Sequence, residues 1–324
     1  MQKFRATLQL VRLPAVFTAM ADIFLGFLLT HNKLEPAAVF GLLLVASSCL
    51  YLSGMVFNDV FDRRIDAVER PDRPIPSGRV SLPSAIGLGV LLMLAGIAAA
   101  AAAEIVSDSV QTSSLVIAGG LALCILAYDG FLKRTPLGPV AMGGCRFLNV
   151  MLGASATYFV WARPQTYVAV GLGIYIAGVT WFARHEAKQS SRAQLAWAMV
   201  VVNLGLAVLI AFVGRTFVPA FDRVLVPLAG PGFEAADPKR VLAVILSAVI
   251  VLAVILLIVN RRMTIALLNP AANQVQTAVK TMLLSLVMLD ATLIFFKTGD
   301  PLYALAIAAL LLPAVILGRW IFVT

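Results

Sequence analysis

Charged residues are scarce in this 324-residue chain, at 13%, against roughly 25% in soluble globular proteins, while 61% of its residues are hydrophobic. So little charge cannot cover a globular surface, and a water-soluble domain is excluded. Histidine is rarer still. His31 and His185 are the only two, and the expected membrane topology puts them on opposite faces, against a histidine-ligated zinc enzyme. Cys49, Cys124 and Cys145 sit in or beside apolar runs without metal-ligand spacing, which leaves packing as their role. Also missing is the short alternation of apolar and polar residues that marks a transmembrane barrel. The stretch from Val241 to Val259 is apolar on every face, as a lipid-embedded helix must be.

Long hydrophobic runs are what the chain has, with a mean hydropathy of +0.95. They fall at 13–30, 36–57, 82–103, 114–128, 139–160, 165–182, 195–214, 240–260, 275–296 and 301–322. Most approach the ~20 residues needed to cross hydrocarbon. The expectation is an all-α, polytopic transmembrane bundle of nine or ten helices. Nine remain if the fifth run, diluted by Arg146 and Asn149, does not cross. Lys3, Arg5 and Ala19-Met20-Ala21 imitate a cleaved signal peptide, but Pro14 opens the run and apolar residues resume after Asp22. It reads as a first span.

Ten spans from a cytoplasmic N-terminus place 18 of the 25 basic residues inside, as retention of Lys and Arg on the cytoplasmic side requires. This loop bias accounts for much of the net charge of +9 without any nucleic-acid partner. The expected location is a prokaryotic plasma membrane, with the active-site loops cytoplasmic. One transmembrane domain fills 1–324: a motif-bearing part over about 10–215, an added outer loop at 215–240, and C-terminal helices over 240–324.

The chemistry concentrates at the end of the second run. Five of the 16 acidic residues lie between Asp59 and Asp72. On a helix Asp59, Asp62 and Asp66 stand at i, i+3 and i+7, so their carboxylates share a face and repel unless a cation joins them. A hard cation with oxygen ligands answers this. Mg²⁺ takes one or two carboxylates and completes its octahedron with water and phosphate oxygens. The loop that follows, Glu69 to Arg79, is stiffened by Pro71, Pro74 and Pro76, and its arginines match phosphate oxygens bidentately. Carboxylates, Mg²⁺ and arginines together describe a diphosphate clamp.

These residues resemble the UbiA superfamily of intramembrane prenyltransferases. Its first aspartate-rich motif, NDxxDxxxD, and the following RPxRPxxSG loop are matched by Asn58, Asp59, Asp62, Asp66, Arg70, Pro71, Arg73, Pro74, Ser77 and Gly78. The stretch from Tyr128 through Lys133 and Arg134 to Gly138 is similar to the family's tyrosine-then-Lys-Arg segment. The resemblance implies a bundle usually of nine spans, Mg²⁺ held by the first motif, and diphosphate held by Asn58, Arg73, Tyr128, Lys133 and Arg134. The family's second aspartate motif is degenerate here: Val179 and Glu186 occupy its two acidic positions, so only Glu186 remains for a second metal or the acceptor's proton. This degeneracy, Gly144 to Asn149 and Trp181 to Arg184 look like a less characterised branch, the EboC-like one.

Polar residues inside the membrane are expensive, about 2.5–3.5 kcal/mol for Asp or Arg at a helix centre on insertion scales, and mark function by default. Asp22, Arg146, Asn149 and Asp290 are expected to face the interior. Arg146 and Asn149, at i and i+3, are candidates to meet the acceptor or to hydrogen-bond between helices. Trp181 and Arg184 are candidates for the same cavity, Trp181 with a ring face for an allylic cation or as an interfacial anchor. Asp129 is Lys133's partner at i+4 or a site residue. The resemblance implies Mg²⁺-dependent transfer of an isoprenyl group from a prenyl diphosphate to a small, aromatic or lipid-like acceptor. The alternative is a non-catalytic carrier of a prenyl or amphipathic metabolite.

Overall fold

A computed structural model describes residues 2–107, 113–157, 160–161, 163–184, 191–222 and 238–320. The elements are helical throughout: α1 (Gln2–Leu10), α2 (Val16–Thr30), α3 (Ala37–Glu69), α4 (Leu82–Val106), α5 (Ser113–Gly130), α6 (Gly138–Gly153), α7 (Arg163–Ala183), α8 (Arg192–Asp222), α9 (Pro238–Leu268), α10 (Ala272–Thr298), α11 (Pro301–Ala309) and α12 (Leu311–Trp320). Among the described residues nine helical segments are long and apolar enough to cross a membrane. The protein is an integral, multi-pass membrane protein.

The fifth run is the one that falls short. At 16 residues, α6 is about 24 Å long against a hydrocarbon core of about 30 Å. It nonetheless packs among α2, α5 and α7 as a tenth member of the bundle. Its polar middle is held by neighbouring helices, and the helix stops at Gly153. The last run is broken rather than continuous, because the ring of Pro313 opposes the carbonyl of Ala309, where α11 ends. The outer loop expected over 215–240 is also narrower: α8 continues to Asp222 and α9 begins at Pro238, and 223–237 lie outside the described residues.

Consecutive helices pack in order from α2 to α10, and α10 then returns against α2 and α7. Leu, Val, Ile and Ala fill the interior. Since lipid is as apolar as these side chains, close backbone approach at small residues supplies much of the association. Gly143 of α6 meets Gly173 of α7, and Gly205 of α8 meets the backbone of Tyr175 of α7. Helix α3 matters most for function. Its 33 residues reach about 50 Å, so its last turns overhang the membrane and carry Asp59, Asp62 and Asp66 past it. At the opposite end of the bundle, His31 stacks on Phe27 with ring centroids 4.1 Å apart and contacts the Phe27 carbonyl. Burial holds its pKa below the usual histidine value.

Candidate active site

Four cations meet the three aspartates of α3. Arg73 Nη1 donates to Asp66 Oδ2 at 2.7 Å and to Asp59 Oδ1 at 3.2 Å. Arg12 Nη2 donates to the same Asp59 oxygen at 2.9 Å. Lys133 Nζ donates to Asp62 Oδ2 at 2.7 Å and to Asn58 Oδ1 at 3.1 Å, and Arg134 Nη2 reaches Asp62 Oδ1 at 3.3 Å. Asp129 stands 3.9 Å from Lys133, beyond hydrogen-bond reach. Tyr128, at the end of α5, lies within electrostatic reach of Asp62, Asp129 and Arg12. The i, i+3, i+7 pattern therefore does what it implied: one helix face presents three carboxylates to a shared basic cradle.

Local turns aim each cation. The loop after α3 folds on itself through Ser77 N–H to the Arg73 carbonyl at 3.0 Å and Val80 N–H to the Pro74 carbonyl at 3.0 Å. Gly78 sits there at φ +72°, a conformation that only glycine adopts without strain. The result is an Arg73 buried beneath Asp59 and Asp66. Arg79 fastens the loop to α1, donating to Gln9 Oε1 at 2.9 Å. Lys133 and Arg134 lie on a short 3-10 turn between α5 and α6. A Cβ at Gly138 would come within 3.0 Å of the Lys133 backbone, so this glycine lets α6 start hard against that turn.

Arg12 is the residue the sequence reading missed, having counted it only in the charge bias. It occupies the left-handed region at φ 47°, ψ 48° between α1 and the turn that opens α2, at a cost of about 1–2 kcal/mol for a side chain with a Cβ. That bend turns its guanidinium back toward Asp59. The only signal in the sequence was Pro14 two residues on, which interrupts helix at this place.

The donor set fits a hard cation. Asp59 Oδ2 and Asp66 Oδ1 have no hydrogen-bond partner among the described residues, and these oxygens are the ligand type that Mg²⁺ selects. Among the described residues no three acidic, histidine or cysteine side chains form a complete cage, so further oxygens must come from water or a ligand.

The other predicted residues divide. Arg146 and Asn149 are brought together with Asp22 and Asp290 in the membrane interior, where Asn149 Nδ2 donates to Asp22 Oδ2 at 2.8 Å. Arg146 and Asn149 are thus tied to neighbouring helices, although Arg146 Nε has no hydrogen-bond partner among the described residues. Trp181 is half-buried against the apolar core, and Arg184 is exposed at the end of α7. Val179, at the first acidic position of the degenerate motif, is buried and apolar. Glu186 lies outside the described residues, as does His185.

The sequence model of the UbiA prenyltransferase family matches residues 19–262. The chain belongs to the UbiA prenyltransferase family. Among curated members, it is 33% identical over 172 residues to a digeranylgeranylglyceryl phosphate synthase of Methanopyrus kandleri, covering 51% of this chain and 59% of that relative. It is 30% identical over 188 residues to the synthase of the same name from Halobacterium salinarum, covering 58% and 63%. The matched stretches thus span less than two thirds of these relatives. Solved UbiA-type structures share the fold. One of a digeranylgeranylglyceryl phosphate synthase gives a TM-score of 0.61 at 18% identity, over 93% of this chain and all of that one. A UbiA homologue from Archaeoglobus fulgidus bound to DMAPP and Mg²⁺ gives 0.56 at 14% identity, over 94% and 99%.

Proposed function

We propose that this UbiA-family protein transfers an isoprenyl group from a prenyl diphosphate to a small acceptor inside the membrane, with Mg²⁺ as cofactor. The observation that carries the reading is the cradle of Arg12, Arg73, Lys133 and Arg134 closed around Asp59, Asp62 and Asp66. Asp59, Asp62 and Asp66 would hold Mg²⁺, which when bound supplies positive charge to the diphosphate oxygens. The relatives' name and the donor-bound homologue support a prenyl diphosphate as donor and make a glyceryl-phosphate lipid the first acceptor to try. The basic loops and the N-terminus face the cytoplasm in this reading, following the charge bias.

The chain's own residues supply most of what the reaction needs. Arg73, Lys133 and Arg134 neutralise charge that grows on the departing diphosphate, the electrostatic contribution that commonly dominates catalysis. As the carbon–oxygen bond breaks, its electron pair leaves with diphosphate and an allylic cation remains. Leu, Val and Ala of the bundle exclude water from that cation. The acceptor attacks carbon and releases its proton, for which Glu186 is a candidate; Glu186→Gln is expected to lose turnover while prenyl-diphosphate binding persists.

The deciding experiment measures diphosphate release by the purified protein in lipid, given Mg²⁺, prenyl diphosphates of several lengths and a panel of acceptors. Release that disappears in Asp59→Ala is the expected result. Tight, metal-dependent binding without release from any acceptor overturns the enzyme in favour of a carrier, the reading that the apolar Val179 favours. For Arg12 the informative variant is Arg12→Gly, which keeps the left-handed turn and removes the charge. Glycine relieves about 1–2 kcal/mol of left-handed strain against about 1.5–3 kcal/mol for the lost charged hydrogen bond to Asp59, so the thermal midpoint should move little while donor affinity should fall. Unchanged affinity removes Arg12 from the site.

A further inference from the structure

The most unusual group of side chains lies away from the cradle, inside the membrane. Asp22 of α2 and Asp290 of α10 are both 0% exposed, and Arg146 of α6 is 9% exposed. Arg146 Nη2 is 2.7 Å from Asp22 Oδ1, 3.7 Å from Asp290 Oδ2, and donates to the Thr18 carbonyl at 3.1 Å. Asn149 donates to Asp22 Oδ2, and Ser47 of α3 donates to Asn149 Oδ1 at 2.6 Å. Neither oxygen of Asp290 has a hydrogen-bond partner among the described residues. The other charged or titratable groups near the pair are Arg146 and, beside Asp22, Tyr51 of α3.

Two carboxylates against one guanidinium leave an uncompensated negative charge in hydrocarbon, which the membrane does not tolerate. A bound proton removes it and turns one bare Asp290 oxygen into a donor toward Asp22, whose Oδ1 also lacks a hydrogen-bond partner among the described residues. Position gives the proton a consequence. Helix α10 is remote from α2 in the chain and packs back against it, so packing rather than a chain connection joins this seam.

We propose that Asp22, Asp290 and Arg146 form a proton-binding lock on the seam between α2 and α10. The two carboxyl groups share one proton, carried by Asp290, while Arg146 balances the charge of Asp22. The lock is independent of the chemistry at the cradle. Removing its proton sets two carboxylates against one another and loosens the seam at the side of the bundle.

The test compares wild type, Asp290→Asn and Asp22→Asn, purified in lipid at neutral pH. Infrared difference spectra should show the carbonyl stretch of an un-ionised carboxylic acid in wild type that is missing from Asp290→Asn. Asparagine mimics a protonated aspartate, so Asp290→Asn should keep the wild-type thermal midpoint. Asp22→Asn removes the anion 2.7 Å from Arg146 and leaves it only Asp290, at 3.7 Å and outside hydrogen-bond reach, so it should lose several degrees. Absence of the carbonyl difference overturns the proposal, and so do equal losses in the two variants or the reverse asymmetry. A merely structural polar contact would move the midpoint without producing the infrared band.

Discussion

Asp62→Ala is expected to lower prenyl transfer by about 10²–10³-fold, the usual cost of removing one preorganised electrostatic group, and to abolish the Mg²⁺ dependence of prenyl-diphosphate binding. The reason is its place between the two halves of the cradle. Asp59 and Asp66 are both held by Arg73, whereas Asp62 alone receives Lys133 and Arg134 from the turn between α5 and α6. Without it those two cations have no carboxylate within 3.5 Å among the described residues, and Mg²⁺ would have one fewer of the three carboxylates proposed to hold it. Excess positive charge there still attracts diphosphate, so the variant should bind donor in the absence of Mg²⁺ while failing to turn it over. Binding measured with and without metal checks the first half, and diphosphate release the second. Metal-dependent binding equal to wild type would remove Asp62 from the clamp. Arg73→Ala is the companion case. It leaves the buried Asp66 without its cation and Asp59 with Arg12 alone, and breaking a buried pair in this way costs about 3–5 kcal/mol, so its loss of activity should come with a lower thermal midpoint.

The sequence made the aspartate face legible because helical periodicity is local: once α3 is continuous, Asp59, Asp62 and Asp66 must align. The same holds for the apolar runs, whose composition alone commits them to the bilayer. What did not show is contact between remote segments. Asp22, Arg146, Asn149 and Asp290 each stood out singly as polar residues in apolar surroundings, but nothing in the string joins α2, α6 and α10 at one point. Arg12 was hidden for a different reason. Its reach to Asp59 depends on one left-handed residue between two helices, and a charge at a membrane edge looks the same whether it anchors the helix or serves a site. The short α6 was foreshadowed, since Arg146 and Asn149 had already diluted its run.

Gly26→Val is expected to give the largest loss of stability among single substitutions in the bundle. A Cβ at Gly26 would stand 2.1 Å from the Val150 carbonyl oxygen and 2.8 Å from the Ala154 nitrogen, both backbone atoms of the facing segment. Across the same contact, a Cβ at Gly153 would stand 2.8 Å from the Ile23 carbonyl. Neither clash can be relieved by turning a side chain, so α2 and α6 must move apart. Overpacking commonly costs 1–3 kcal/mol where side chains can yield, and a loss above ~3 kcal/mol follows where they cannot. The separation would also pull Asp22, one turn before Gly26, away from Arg146 and Asn149, leaving the buried guanidinium only the more distant Asp290. The control is Gly41→Ala on α3, where an added Cβ meets nothing within 4 Å and the gain in helix propensity is about 0.5–1 kcal/mol. Thermal midpoints in lipid should therefore move in opposite directions for the two variants. A Gly26→Val protein that melts with wild type would mean that α2 and α6 do not cross in backbone contact, and the lock built on that crossing would fall with it.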